Sequence, residues 1–421
     1  MERSLLVTVK FDSDKDRWYI KDIANELGEL AKSTGAEIID QVICRPDKPT
    51  ANLFIGQGKA QEIASLVQEK QIDTVIFSQD FSSTQQRNLE EIINAKTIDR
   101  TQLILDIFSR RAKSPEGKMQ VELAQLEYLL PRLAGKGIVL SRLGGGIGTR
   151  GPGEQKLEMD RRRIREKINR LKNDLKRFSE HRQNLKKKRK ENAIPGVAIV
   201  GYTSAGKSTL LNTLASSQQI ISSALFTTLD PLSKAIILPN GEHVVVSDTV
   251  GFLHNLGHHL IEAFKATLEE VIDADLLIHV LDVSHPLIYE HNASVFEVLR
   301  DLKADQKPMI TALNKIDLLE DKIWLEKLKN DFINPVAISA KLKQNINSLL
   351  SEIEKKFVAR MISVELVLDN SRMDLIDLFH RQGRVDEVNY LEKGIKIKAN
   401  LPKILFQKLL HSNQIKEVFN S

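Results

Sequence analysis

An α/β architecture is predicted by three observations in this chain of 421 residues. An apolar run, a glycine-rich loop and a helix-like stretch follow one another directly over residues 197–214. Further apolar runs downstream each end in a short polar motif, and a long, strongly basic helical segment precedes them all. Together these predict a P-loop core on a parallel sheet, an N-terminal α/β domain, a basic antiparallel helical hairpin and a small α+β C-terminal domain. The expected boundaries are 1–112, 113–192, 193–358 and 359–421.

In the first segment, SLLVTVKF, AEIIDQVIC, TVIFSQ and QLILDIF read as strands, and IANELGELAKST and GKAQEIASLVQEK read as helices. The alternation implies a parallel sheet with helical crossovers. GQGK at 56–59 lacks the four-residue spacer of a phosphate loop and the hydroxyl after its lysine, so it reads as a helix-start turn.

The hairpin segment carries the positive charge. Residues 156–190 hold 16 Lys or Arg against 5 Asp or Glu, a net of +11, whereas the whole chain is only +5. Ile164, Ile168, Leu171, Leu175, Phe178 and Leu185 follow helical spacing, interrupted at Arg182 where a further apolar residue would fall. A helix over about 154–190 is predicted, about 50 Å long. Its partner is MQVELAQLEYLL, which Pro131 ends or bends, and LSRLGGGIGTRGPGEQ forms the tip between them. Basic coiled coils are commonly just solvated surfaces. Here Arg142 and Arg150 beside Gly144, Gly145 and Gly146 favour a probe for phosphate-rich RNA, because glycines let a backbone approach closely. With only Phe178 among the charges of the second arm, shape and phosphate contacts are expected rather than base stacking.

The core motifs specify the ligand. GYTSAGKS at 201–208, followed by Thr209, matches G-x-x-x-x-G-K-[ST]. Gly201 and Gly206 let the loop of Tyr202, Thr203, Ser204 and Ala205 turn its N–H groups inward onto phosphate oxygens. Lys207 supplies a point charge and Ser208 a hydroxyl ligand for Mg²⁺. NKID, comprising Asn314, Lys315, Ile316 and Asp317, reads guanine: a carboxylate accepts from the N1–H and N2 amino group, a donor pair that adenine lacks on that edge. Ser339, Ala340 and Lys341 form an SAK triplet whose backbone N–H suits guanine O6. Asp248, Thr249, Val250 and Gly251 end a strand as the second switch. Phe226, Thr227, Thr228, Leu229 and Asp230 form the first, with Thr228 the second candidate Mg²⁺ ligand. GTP is the expected substrate. Phe252 occupies the place of the water-orienting glutamine of Ras-like enzymes, so slow intrinsic hydrolysis with partner stimulation is expected.

Other features exclude alternatives. One cysteine, Cys44, rules out an intramolecular disulfide and fits a reducing compartment. The N-terminus lacks a signal-peptide pattern, and no apolar run approaches the ~20 residues of a membrane span. His254, His258 and His259 lack cysteine or carboxylate companions at ligand spacing and read as solvent- or partner-facing. The end of the chain reads as ISVELVLD, a helix around 371–380, EKGIKIKANL and a closing helix from Leu401.

RPDKPTANLFIGQGKAQEI, the stretch from DRTQLILDIF to LLPRL, GGGIGTRGPGEQKLEMDRRRIREKI, the nucleotide motifs and AFKATLEE carry a resemblance to the HflX family of ribosome-associated GTPases over nearly the whole length. The resemblance implies a nucleotide-binding-like N-terminal domain and a cytoplasmic factor, partly membrane-associated through ribosomes and expected to act as a monomer. Its partner would be the large ribosomal subunit through its RNA, with the hairpin tip reaching the peptidyl-transferase region. GTP binding would then split stalled or stress-damaged ribosomes and hydrolysis would release the factor. The same residues would also serve a GTP-gated clamp on the large subunit or on RNA, acting in assembly or dormancy. Ser204 stands where the family's asparagine helps coordinate a monovalent cation, which argues against K⁺ stimulation.

Overall fold

The computed structural model describes residues 2–12, 18–133, 152–191, 194–215, 232–254, 265–391, 394–411 and 417–420. The first-switch residues Phe226 to Asp230, the tip residues Arg142, Gly144, Gly145, Gly146 and Arg150, and His258 and His259 lie outside them. The chain forms two compact units, one over residues up to Ser179 and the other over most of the described residues beyond.

In the first unit, β1 (Arg3–Val9), β2 (Glu37–Cys44), β3 (Thr74–Phe77) and β4 (Lys96–Ile98) form a parallel sheet in the order β2-β1-β3-β4. The crossovers are α1 (Ile20–Ser33), α2 (Gln57–Lys70) and α3 (Ser83–Ile93). Gly56 is the N-cap of α2, so GQGK is a helix start. Ser82 and Gln85 close a reciprocal capping box at the start of α3. Leu5, Val7, Val75, Phe77, Ile63 and Leu89 share the core.

QLILDIF is not a strand. It lies in α4 (Arg100–Arg111), whose first turn is capped by Asp99 accepting from the Gln102 N–H at 2.8 Å. Leu103, Ile104, Leu105, Ile107 and Phe108 are all buried, so with only Asp106 between them the segment is too densely apolar for periodicity to distinguish it from a buried strand. The fourth strand is the short segment β4 just before it.

The first hairpin arm, α5 (Pro115–Arg132), starts at Ser114, whose Oγ accepts from the Gly117 N–H at 2.9 Å. Pro131 sits in its last turn without ending it. Arg132 then donates to the Phe81 carbonyl at 2.8 Å and to buried Asp99 at 3.0 Å, with its guanidinium 3.4 Å from the Tyr128 ring centroid. This root ties the arm to the carboxyl end of the parallel sheet. The second arm is the 40-residue α6 (Pro152–Glu191), close to the expected bounds. Ile168 and Leu171 bury against Leu123, flanked by Ile164, Leu175, Met119, Leu126 and Leu130. Lys172 pairs with Glu127 at 2.7 Å, and Lys167 pairs with Glu122.

The second unit contains a six-stranded sheet in the order β10-β9-β8-β5-β7-β6. Its strands are β5 (Gly196–Gly201), β6 (Leu232–Ile237), β7 (His243–Asp248), β8 (Leu276–Asp282), β9 (Met309–Asn314) and β10 (Pro335–Ala337). All neighbours are parallel except β6 against β7. The helices are α7 (Lys207–Leu214), α8 (Lys265–Asp273), α9 (Ile288–Asp301), α10 (Lys322–Asp331) and α11 (Ile346–Phe357). Because β5 lies between β7 and β8, successive connections leave its carboxyl end in opposite directions, the position where open α/β sheets bind ligands. The chain then forms an antiparallel sheet, β12-β13-β11-β14, from β11 (Met361–Leu368), β12 (Arg384–Leu391), β13 (Gly394–Pro402) and β14 (Glu417–Asn420). It carries α12 (Met373–Gln382) and α13 (Lys403–His411), whose Phe379 and Phe406 bury against Val364, Leu366 and Ile397.

The β6–β7 turn holds a buried carboxylate. Glu242 is 2% exposed, and burial pushes its carboxyl up to about 7 against the opposing pull of Arg360 and the Asn240 hydrogen bond, with Glu354 adding to the rise. A pKa raised in the folded state gives stability that is complete below the unfolded value and lost as pH rises to the folded value. Glu242→Gln is therefore expected to match the natural chain near pH 4.5 and to melt about 2–4 °C higher from pH 7 upward, as read by calorimetry. An unchanged difference across this range would show that Glu242 is not held protonated.

Candidate guanine-nucleotide site

The site forms at the carboxyl ends of β5, β7 and β9, where backbone geometry dictates the residues. Gly206 has φ +99°, and a Cβ there would lie 2.3 Å from Asn314 Nδ2. A Cβ on Gly201, at φ +153°, would lie 2.4 Å from the Val280 carbonyl oxygen. Both glycines of the loop are thus required by packing as well as by conformation. Ser204 is exposed and left-handed at φ 59°.

Lys207, 6% exposed, folds back so that Nζ donates to the carbonyls of Gly201 at 3.0 Å and Tyr202 at 2.7 Å. Burial brings its ammonium down to about 8, with Asp248 pulling the other way. Ser208 Oγ donates to Asp248 Oδ2 at 2.6 Å. A hydroxyl and a fully buried carboxylate so placed are hard oxygen donors that suit Mg²⁺, directly or through its water.

Residues 251–252, in the segment read as the second switch, lie on the P-loop through an isolated parallel bridge between Tyr202 and Phe252. Thr203 N–H donates to the Phe252 carbonyl at 3.0 Å, and Phe252 N–H donates to the Gly201 carbonyl at 3.1 Å. Thr249 Oγ1 donates to the Ile199 carbonyl at 2.7 Å. Gly251 packs so closely that a Cβ would lie 2.8 Å from Thr203 Cα and 3.0 Å from Lys207 Nζ. The Phe252 ring is 2% exposed and belongs to the interior.

On the base side, Asn314 is buried and joins three loops. Its Nδ2 donates to the Ala205 carbonyl at 2.8 Å, and its Oδ1 accepts from the Ala340 N–H at 3.0 Å. Asp317 Oδ1 accepts from Ser339 Oγ at 2.6 Å, and Ile316 N–H donates to the Ile338 carbonyl at 3.3 Å. Lys315 takes the left-handed conformation at φ 68° and pairs with Asp282. Lys341 is exposed. The described phosphate, second-switch and base motifs therefore converge on one edge of one sheet.

Family models match three stretches of the chain: GTP-binding GTPase N-terminal over 21–109, GTP-binding GTPase Middle Region over 111–189, and 50S ribosome-binding GTPase over 196–315. A solved GTP-binding protein from Sulfolobus solfataricus in complex with GDP covers 85% of this chain and 99% of its own, at 25% identity and a TM-score of 0.43. The GTPase HflX of Caldanaerobacter subterraneus subsp. tengcongensis is 45% identical over 400 residues, 95% of this chain and 91% of that protein. The Escherichia coli K12 GTPase HflX is 36% identical over 410 residues, 97% and 95% of the two chains. The chain belongs to the HflX family of GTPases.

Several residues of this HflX-family site carry little or no sequence-local signal. Asp282 closes β8 and orients Lys315, while its Oδ1 accepts from Ser284 N–H and Oγ at 3.0 and 2.6 Å. An apolar run ended by an aspartate was the available cue. Tyr202 stacks on His291 with centroids 3.9 Å apart, and its hydroxyl accepts from the His254 N–H at 2.9 Å. His254 is buried, 7% exposed, which corrects its reading as solvent-facing: the β-like pairing of Phe252 with the P-loop draws the following residues inward. Among the described residues no cluster of three or more His, Cys, Asp or Glu could hold a metal, and no helix is long and apolar enough to cross a membrane.

The lowered ammonium of Lys207 has a measurable consequence. Phosphate binding favours its charged form, so GDP affinity is expected to fall about fivefold between pH 8 and 9, measured by fluorescence titration. Lys207→Met is expected to bind weakly and without that slope. A wild-type affinity constant over this interval would contradict the assigned protonation.

Proposed function

We propose that this GTPase acts on the large ribosomal subunit, its GTP form dissociating stalled or stress-damaged ribosomes and hydrolysis releasing it. The observation that carries the reading is the joining, in one chain, of the guanine-nucleotide geometry to the 40-residue basic helix α6. Support comes also from the match to the 50S ribosome-binding GTPase model and from relatives named GTPase HflX.

In this reading Gly201 to Thr209 cradle the phosphates and Lys207 moves from its carbonyl partners to a phosphate oxygen. Asp317 accepts from guanine N1–H and N2, Asn314 lies on the N7 side, the Lys315 stem covers the base and a backbone N–H of the Ser339–Lys341 triplet donates to O6. Ser208 and Thr228 would hold Mg²⁺, with Asp248 oriented toward its water; when bound, the ion offsets charge on the phosphates. Thr228 with its neighbours 226–230, and Gly251 with Asp248 to Val250, sense the γ-phosphate. Phe252, packed inside, offers no group to orient water, so turnover is slow until a partner completes the site. Arg142, Gly144, Gly145, Gly146 and Arg150 contact ribosomal RNA, and the factor works in the cytoplasm as a monomer.

GTP hydrolysis by the purified chain is expected to rise at least about tenfold with large subunits, and the rise should vanish at high salt because the contact is electrostatic. Deleting residues 144–153 should abolish the rise and leave basal turnover intact. With a non-hydrolysable GTP analogue, light scattering should report dissociation of intact ribosomes. Tight subunit binding without dissociation would instead identify a clamp, and no stimulation by subunits would refute the ribosomal reading.

A further inference from the structure

Arg182 interrupts the apolar spacing of α6, and its side chain explains the interruption. Its Nη2 donates to Glu269 Oε2 on α8 at 2.8 Å, and the two side chains are only 17% and 23% exposed. A coiled-coil seam would place an aliphatic residue here; a guanidinium largely removed from solvent instead needs its carboxylate partner, because losing either member leaves an uncompensated charge. The element it grips is the helix that follows the second switch. Leu268 and Val271 anchor α8 in the interior, and the adjacent Glu270, 8% exposed, accepts from Ser247 Oγ at 3.3 Å. Ser247 Oγ also shares a 2.7 Å hydrogen bond with Ser233 on β6. The next residue, Asp248, is the partner of Ser208. A continuous run of contacts therefore leads from the second hairpin arm to the carboxylate at the phosphate end of the site.

We propose that the Arg182–Glu269 ion pair is the joint through which the basic helix sets the position of the second switch, making Arg182 a positioning residue for GTP hydrolysis. Arg182 touches no reacting atom. It holds α8, Glu270 on α8 holds the end of β7 through Ser247, and β7 delivers Asp248. A load on the basic arm displaces this series, whereas the guanine-side loops are tied separately through Asn314. Turnover should respond to the joint and nucleotide affinity should not. The response to a partner on the arm rests on the ribosomal reading above; the basal effect does not.

The test is a double-mutant cycle on the full chain with Arg182→Ala, Glu269→Ala and both, reading basal kcat, KM for GTP and GDP affinity. Each single variant is expected to change kcat at least about threefold with GDP affinity held within about twofold. The double variant should match the singles, and the exchanged pair Arg182→Glu with Glu269→Arg should return kcat to within about twofold of the natural chain. Unchanged kcat in the singles, effects that multiply in the double variant, or equal losses of kcat and GDP affinity would overturn the joint. Melting curves confirm that each variant is folded; should Arg182→Ala not fold, Arg182→Lys and Glu269→Gln carry the same cycle. Sedimentation with large subunits separates the two claims. Variants that still sediment but lose at least about threefold in stimulation support transmission through the joint, and full stimulation refutes it. Failure of the natural chain to sediment would refute the ribosomal reading alone, leaving the basal cycle to decide the joint.

Discussion

The carboxamide of Asn314 is the contact on which the nucleotide site depends. It donates to the P-loop at Ala205 and accepts from Ala340, so the phosphate loop, the NKID loop and the SAK loop are held as one body. Each bond satisfies a buried backbone group, and leaving such a group unpaired costs about 1–3 kcal/mol. The constraint reaches into the sequence: Gly206 lies against the same carboxamide, and no other residue fits there. Ser339 and Asp317 repeat the device one layer outward, where the carboxylate proposed to read guanine is already oriented by a hydroxyl. The loops proposed to recognise phosphate and base are thereby tied to one another through Asn314.

The opposite edge is organised by different means. Backbone pairing between the P-loop and residues 251–252 fixes the start of the second switch, and Thr249 adds a bond to β5. Phe252 contributes to this by filling the interior rather than by facing the phosphates. The result is a site whose binding loops are tied together and whose described second-switch segment ends in a buried phenylalanine, in keeping with the proposed dependence on an external activator. Ile168 and Leu171 pack on the first arm, while Arg182 grips the helix behind the second switch.

The sequence reveals those parts of the molecule in which a local backbone demand selects residue types. A left-handed glycine at 206, a lysine after it and a hydroxyl next identify the loop without tertiary information. The long arm was legible because its apolar spacing repeats over many turns. QLILDIF was misread because a helix buried on several sides loses its periodicity, and the true strand beside it has only three residues. β12, largely exposed with little alternation, gave no signal either. Asp282, His254 and the partnership of Arg182 with Glu269 were illegible for another reason: each acquires its role from a residue distant in the chain. For Arg182, the broken spacing was visible and only its purpose was missing.

If one side chain joins the phosphate and base loops, its removal registers in GDP affinity, measured for Asn314→Ala by fluorescence titration alongside the melting temperature of the nucleotide-free chain. Loss of two buried hydrogen bonds is expected to weaken GDP binding at least about a hundredfold and to lower the melting temperature by several degrees. Binding within about threefold of the natural chain would show that the loops keep their places without Asn314.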